Sequence, residues 1–415
     1  MRPPAFLRRI AAAVLCLLAA GTCFVQAQNN QFTERSFVSS PVVLGMGDAG
    51  VALPGPERGF FYNPAHLPHV GSHFTIFGLQ AGSSTGLREQ IRFLNQELAP
   101  AVSGAGPSGA TIEALQSDAA RLQSRPGRGT GAVLLPNFVY APGALAIGGG
   151  LFAKTTANYR MEAVGPGASS VWTLSRTDLM ALVSVGLDLR VIGLSGLSVG
   201  VTGTQTRRFL AFKGEALAQF ERQEPSVVLQ GGAFQLDGGV TYRVDRLLSM
   251  PGQFRVGGAV YDMLRTGYDY RSGGAGRLPF LNNVIDSPNG AGGAPRAEQQ
   301  RARDRFGLRP SYRVGAAYEV AELGILDDVA VAADYQGYRG TTQAPLARTH
   351  LGVCAGGLGP LTLRAGVSAG YPSGGAGLEW GALHLDYSLH GVEEGDQFRE
   401  RRAYVHTARL LFRLE

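Results

Sequence analysis

From residue 129 onward, apolar residues recur at every second position in runs of roughly ten. Leu361, Leu363, Ala365, Val367 and Ala369 alternate with Thr362, Arg364, Gly366, Ser368 and Gly370. Tyr312, Val314, Ala316, Tyr318 and Val320 alternate with Ser311, Arg313, Gly315, Ala317 and Glu319. An arginine inside such a run must face water, while its apolar neighbours face something dry. The pattern predicts a strand at Ser72 to Gln80. Further strands are predicted near 129–141, 143–155, 176–190, 195–210, 227–244, 253–264 and 309–320, and near 327–338, 348–356, 360–370, 374–380, 381–390 and 402–414. That makes about fourteen strands.

The connections between these strands sort by length. Those after every second strand are short, such as Pro142 and the turn at Trp380-Gly381. Those at 81–128, 156–175, 208–226 and 265–308 are long. A soluble β-sandwich or solenoid also alternates, but it has no reason to sort its loops this way. Bacterial outer-membrane barrels do, with short periplasmic turns and long extracellular loops. The expected fold class is therefore all-β, a transmembrane antiparallel β-barrel of about fourteen strands. An even count puts both termini on the periplasmic side. In the first long loop, Arg88 to Leu98 and Thr111 to Leu122 have helical spacing, which predicts a helical hairpin over the barrel mouth. Gly273 to Gly276, Pro288 to Pro295 and the run Arg296, Arg301, Arg303, Arg305 predict a mobile, basic extracellular loop.

Composition narrows the class further. Arg2, Arg8 and Arg9, the apolar run Ile10 to Ala20, and Val25 and Ala27 before Gln28 form a secretory signal. The expected organisation is signal peptide 1–27, N-terminal periplasmic or plug segment 28–70, and barrel 71–415. Beyond residue 27 no apolar stretch approaches the length of a membrane helix. Cleavage leaves Cys354 as the single cysteine, so no intramolecular disulfide is expected, and inert packing is its expected role. The formal charge of +6 is modest for 415 residues and forms no basic stripe with interleaved aromatics, so no nucleic acid is expected as partner. The 59 glycines are many for a strand-rich chain. Barrels use glycine where the wall bends or crowds.

Residues 36–67 carry the most specific signal. Gly45, Met46, Gly47, Asp48, Ala49, Gly50, Val51 and Ala52 are followed by Tyr62, Asn63, Pro64 and Ala65. This pair of motifs resembles the N-terminal signature of FadL-type long-chain fatty-acid transporters. It is also similar to the related PorV/PorQ family of the Bacteroidetes type IX secretion system, as is the stretch 363–391. The resemblance implies a fourteen-stranded barrel with this segment folded inside as a plug on the periplasmic side. Glycine at 45, 47 and 50 suits tight folding against a wall, and Asn63 before Pro64 suits a turn. Those families often carry an acidic residue between the two motif halves. Glu57 is the candidate here, although the Pro54-Gly55-Pro56 stretch before it predicts a different local path.

Catalytic chemistry is sparse. His384, Asp386, Ser388 and His390 share one strand face. Neighbours on such a face lie roughly 7 Å apart, too far for a nucleophile–base hydrogen bond. These residues read as polar lumen. No enzyme, cofactor or metal site is expected, and Glu393, Glu394 and Asp396 read as a solvated loop. Arg313, Glu319, Asp334, His350, Arg364, His384 and Asp386 are the expected lumen-facing polar residues. They either hold the plug or bind the carboxylate of an amphipathic solute. The resemblance implies passive uptake of hydrophobic or amphipathic small molecules across the outer membrane of a Gram-negative bacterium. The alternative is a PorV-like partner of a type IX translocon that receives secreted cargo protein. A third reading is a structural barrel without passage. Outer-membrane lipid is an expected partner, and so is the barrel-assembly machinery, because the last strand is amphipathic and carries Phe412 near its end.

Overall fold

The computed structural model describes residues 37–98, 100–101, 109–165, 168–217, 227–244, 252–272, 306–308, 310–338, 345–394, 398–399 and 401–414. The expected signal peptide and the basic run Arg296 to Arg305 lie outside the described residues.

Strands β1 (His73–Ser84), β2 (Gly127–Tyr140), β3 (Leu145–Gly165), β4 (Ala168–Asp188), β5 (Leu197–Ala216), β6 (Val227–Val244) and β7 (Gln253–Tyr261) form the first half of a closed barrel. Strands β8 (Ser311–Leu323), β9 (Leu326–Tyr338), β10 (Thr349–Leu358), β11 (Leu361–Ser368), β12 (Tyr371–Trp380), β13 (Leu383–Glu393) and β14 (Arg402–Leu414) form the second. Each strand pairs antiparallel with the next, fourteen wall strands among the described residues, and Arg271 and Ser272 add a two-residue ladder along β6. The pairing of β1 with β14, from Phe74 opposite Leu414 to Ser84 opposite Val405, closes the sheet and leaves no edge. The rings of Phe77 and Phe412 stack across that seam, 6.2 Å apart.

Burial is inverted relative to a soluble protein. Arg208 and Arg313 are the bulkiest fully buried side chains, while Val183 is 61% exposed and Leu151 50%. Exposed apolar residues alternate with buried polar ones along β1, β2, β8 and β14. A wall that is apolar outside and charged inside is stable only where hydrocarbon replaces water on its outer surface. This alternation is the one that predicted the strands.

Two expectations about the connections are corrected. Residues 156–175 are not a loop: β3 and β4 are each 21 residues long and run almost into each other. Residues 208–216 likewise belong to β5. Alternation is weak in these stretches, because polar residues such as Thr155, Ser169, Ser170 and Ser175 interrupt the apolar positions. On the same end of the barrel, β11 and β12 are joined tightly at Ala369 and Gly370, both in the left-handed backbone region.

The first long connection does contain helices, α1 (Leu87–Arg92), continued by a π-helical stretch Phe93–Leu98, and α2 (Gly109–Leu122). They do not cover the mouth. Phe93, Leu94, Leu98, Leu115, Ala119 and Leu122 pack on Met161, Val171 and Tyr159, which alternate away from the lumen. The long β3–β4 hairpin presents an apolar outer face at this height, and the helices cover it. The mouth is instead narrowed by the β7–β8 connection. Tyr268, Tyr270 and Phe306 pack inward on Leu210 and Leu229, and Arg208 reaches the Phe306 carbonyl at 2.9 Å.

Ahead of β1, residues 37–70 form a compact inner segment with helix α3 (Pro41–Gly45), helix α4 (Pro56–Phe61) and a 3-10 helix Pro64–His69. Helix α3 touches β11, β12, β13 and β14, and the 3-10 helix touches β3, β4, β5 and β6. The segment therefore bridges opposite sides of the wall within the lumen. Phe60, Phe61 and Tyr62 fill an apolar cluster with Leu134, Phe152, Met180, Leu182 and Leu411, all inward-facing wall residues.

Candidate functional site

The inner segment is tied to the wall at every turn. Ser40 caps α3 by accepting from the Val42 amide at 3.2 Å. Past the end of the helix, Gly47 and Asp48 both take positive φ, 67° and 63°. Aspartate is among the side chains that tolerate this region best, and the turn delivers its carboxylate to the wall. Arg313 of β8 lies 2.7 Å from the Asp48 carboxylate, and the Tyr62 hydroxyl donates to it at 2.6 Å. On β9, the Asp334 carboxylate accepts from the amides of both Gly50 and Val51, at 2.7 and 2.9 Å. Arg313 also lies 3.6 Å from Asp334, so one guanidinium serves two carboxylates. Burial alone would raise the Asp48 carboxyl, but the Arg313 charge overrides it and holds the group below the ordinary carboxylate range.

The second motif half is fixed from the other side. Asn63 donates to the Val51 carbonyl at 2.9 Å and to the Val240 carbonyl of β6 at 3.0 Å, while its Oδ1 accepts from the Ala65 amide at 3.1 Å. The His66 ring donates to Val51 at 2.9 Å, and burial pushes its pKa down to about 3. Tyr261 of β7 donates to the Tyr62 carbonyl at 2.7 Å. Glu57, the acidic residue between the motif halves, is held by Arg409 at 2.8 Å and Arg413 at 2.9 Å. Burial would raise it, yet the two arginines hold it at about 2.

The wall makes room by omitting side chains. A methyl group on Gly352 would strike Met46, on Gly366 the Gly47 amide, on Gly257 the Val51 carbonyl and on Gly200 Pro64. These glycines occupy inward positions of β10, β11, β7 and β5.

Each residue singled out from the sequence has a definite place. Arg313, Asp334 and His350 all meet the Gly45 to Ala52 stretch, with His350 donating to the Gly47 carbonyl at 3.1 Å. Arg364 and Asp386 pair with each other at 3.0 Å, and Asp386 reaches Arg409 at 2.7 Å, so they join the Glu57 cluster. Glu319 pairs with Arg255 near the short-turn end, away from the inner segment's motifs. His384 is buried and lies 3.7 Å from the exposed Glu379. Gly45 accepts from Ser373 at 3.3 Å, and Met46 is fully buried against Ala317, Ala330 and Ala332. Cys354 packs beside that same cluster.

On the loop side of the inner segment the lumen opens into a cavity of about 320 Å³. Its lining is mixed. Phe37, Val38, Leu44, Leu174 and Val405 are apolar, Arg128, Lys154, Arg160, Arg176, Arg313 and Arg348 are basic, and Asp48, Glu393 and Glu394 are acidic. Among the described residues no group of histidine, cysteine and carboxylate side chains converges to hold a metal ion.

The barrel fold has counterparts among solved structures. The TodX deltaS2S3 mutant monoaromatic hydrocarbon channel superposes with a TM-score of 0.50 at 10% identity, over 90% of this chain and 98% of that one. The chain has a FadL-type fold. The toluene transporter TbuX of Ralstonia pickettii is also similar, at TM-score 0.47 and 14% identity over 90% of this chain and 97% of that one. No protein-family model matches the chain, and no curated protein does.

Within this FadL-type fold, sequence reading missed the partners that hold the inner segment rather than its motifs. Arg409, Arg413 and Tyr261 look like ordinary strand residues until the register is known. Lys154 and Arg176 lie in stretches where alternation is weak. One available signal went unused: Gly352 and Gly366 fall at the inward, period-two positions of their strands, next to His350 and Arg364 on the same faces.

Proposed function

We propose that the protein is an outer-membrane transporter for hydrophobic or amphipathic small molecules, with residues 37–70 acting as a plug. The observation that carries this reading is the Asp48–Arg313–Asp334 arrangement. It pins a Gly-rich strip of backbone across the lumen by a few polar contacts, with a cavity directly on its loop side. Such a strip blocks the bore yet holds on through polar contacts that a shift of the strip can break. A solute entering from the loops would rest in the cavity and pass when the strip shifts. The likeness to hydrocarbon channels supports a barrel of this kind, and no cofactor takes part.

The test is uptake into proteoliposomes over a panel of labelled fatty acids and aromatics. The full chain should raise uptake of at least one solute above the empty-liposome rate. An Arg313→Gln variant, with one pin weakened, should raise it further. Equal uptake by empty liposomes, full chain and variant across the panel would sink the proposal.

A further inference from the structure

We propose that the inner wall of β2, β3 and β4 forms a subsite for a phosphate- or sulfate-type oxyanion. This deepens the transport reading and rests on it for its physiological meaning. Strand register puts Thr130, Thr156 and Arg176 in one row across the three strands. Lys154 stands in the next row on β3, beside Asp178 of β4. All of these except Asp178 line the cavity.

Thr156 sits at the centre of the patch. It is only 4% exposed, and its hydroxyl has no hydrogen-bond partner among the described residues. A buried orphan hydroxyl costs free energy unless something accepts or donates to it. Its surroundings say what that is. Asp178 is gripped through both oxygens by Arg208, at 2.6 and 2.9 Å, and lies 3.6 Å from Arg176. Lys154 donates only to the Phe37 carbonyl, at 3.2 Å, and pairs with no carboxylate among the described residues. Arg128, at the end of the patch, is held by Glu394 at 2.8 Å. Among the described residues, positive charge therefore exceeds negative charge around that hydroxyl.

The donors stand on three adjacent strands about 4.8 Å apart, so they approach from several directions. A carboxylate has two coplanar oxygens and a single charge, which one arginine fork satisfies. A phosphoryl group carries up to two charges and three acceptor oxygens, and it matches a splayed set of hydroxyl, ammonium and guanidinium. Leu174 and Val405 offer apolar surface beside it for the body of an amphiphile.

The experiment is calorimetric titration of the full chain in neutral detergent with phenyl phosphate, inorganic phosphate and benzoate. Phenyl phosphate should bind more tightly than benzoate. Thr156→Val should weaken it about fivefold, the worth of a neutral hydrogen bond, and Lys154→Met about tenfold or more. Lys154→Arg should retain binding, which separates charge from packing. Inorganic phosphate binding as well as phenyl phosphate would identify the free anion as the source, and weaker binding the head of an amphiphile. Benzoate binding equally, no phosphoryl binding, or indifference to both variants would overturn the subsite. Uptake is read separately. Binding without uptake would remove the transport reading and leave the subsite, and uptake without binding would do the reverse.

Discussion

Arg313 shows why a single buried charge in this lumen is not interchangeable with a neutral residue. It neutralises Asp48 and Asp334 together, and Asp334 in turn holds two backbone amides. Arg313→Met leaves two carboxylates buried without their cation. Breaking a buried pair in this way costs roughly 3–5 kcal/mol, so the variant should unfold at a clearly lower temperature by circular dichroism. Asp48→Asn added to Arg313→Met should recover part of the loss, because one orphan charge is gone. The wall glycines set a steric limit of the same kind. Gly366→Ala places a methyl against the Gly47 amide and the Met46 carbonyl carbon, both backbone atoms that cannot step aside. A cost of about 1–3 kcal/mol is expected, with the inner segment becoming open to protease while the barrel stays intact. His66 carries a pH dependence. Its pKa falls from 6.5 free to about 3 in place, so the folded state binds fewer protons than the unfolded one. Its contribution is complete above pH 6.5 and is lost as pH falls toward 3. Between pH 7 and pH 5 His66 alone should contribute roughly 2 kcal/mol of lost stability, and His66→Gln should shrink the difference in melting between the two pH values by about that amount.

At the scale of elements, alternation was legible only where lipid enforces it. Along β8 and β11, exposed apolar residues alternate with Arg313 and Arg364, which are buried. The upper parts of β3, β4 and β5 have no lipid to satisfy, so Thr155, Asn158, Ser175 and Thr177 mix freely and the stretch resembles a loop. The helices α1 and α2 were legible from their own spacing, but not their place. Their apolar stripe needed a partner, and nothing local says that Met161 and Val171, dozens of residues away, supply it. Leu98→Ala removes a fully buried side chain from that contact and should cost about 2–5 kcal/mol locally. Protease sensitivity of the 87–122 connection should rise, with strand content by circular dichroism unchanged.

For the whole molecule, closure and charge placement follow from one rule, that every backbone group in hydrocarbon needs a partner within the wall. Fourteen strands in sequential pairing satisfy it with no edge. Strand number and the inward direction of Arg313, Asp334, His350 and Arg364 could be read from a period of two. Which of those residues meet each other could not, since contacts such as Asp48 with Arg313 join positions hundreds of residues apart across a ring. The belt of missing methyl groups on β5, β7, β10 and β11 has a consequence for how such a protein can change. The outline of residues 45–64 is recorded in the wall as a set of absences, so neither part is free to drift alone. An inner segment borrowed from a relative with a bulkier turn would find no space cut for it, and a wall borrowed from a relative would leave this inner segment in voids. Inheritance must carry the two together, as a mould and its casting, although only the strands between the belt positions link them along the chain.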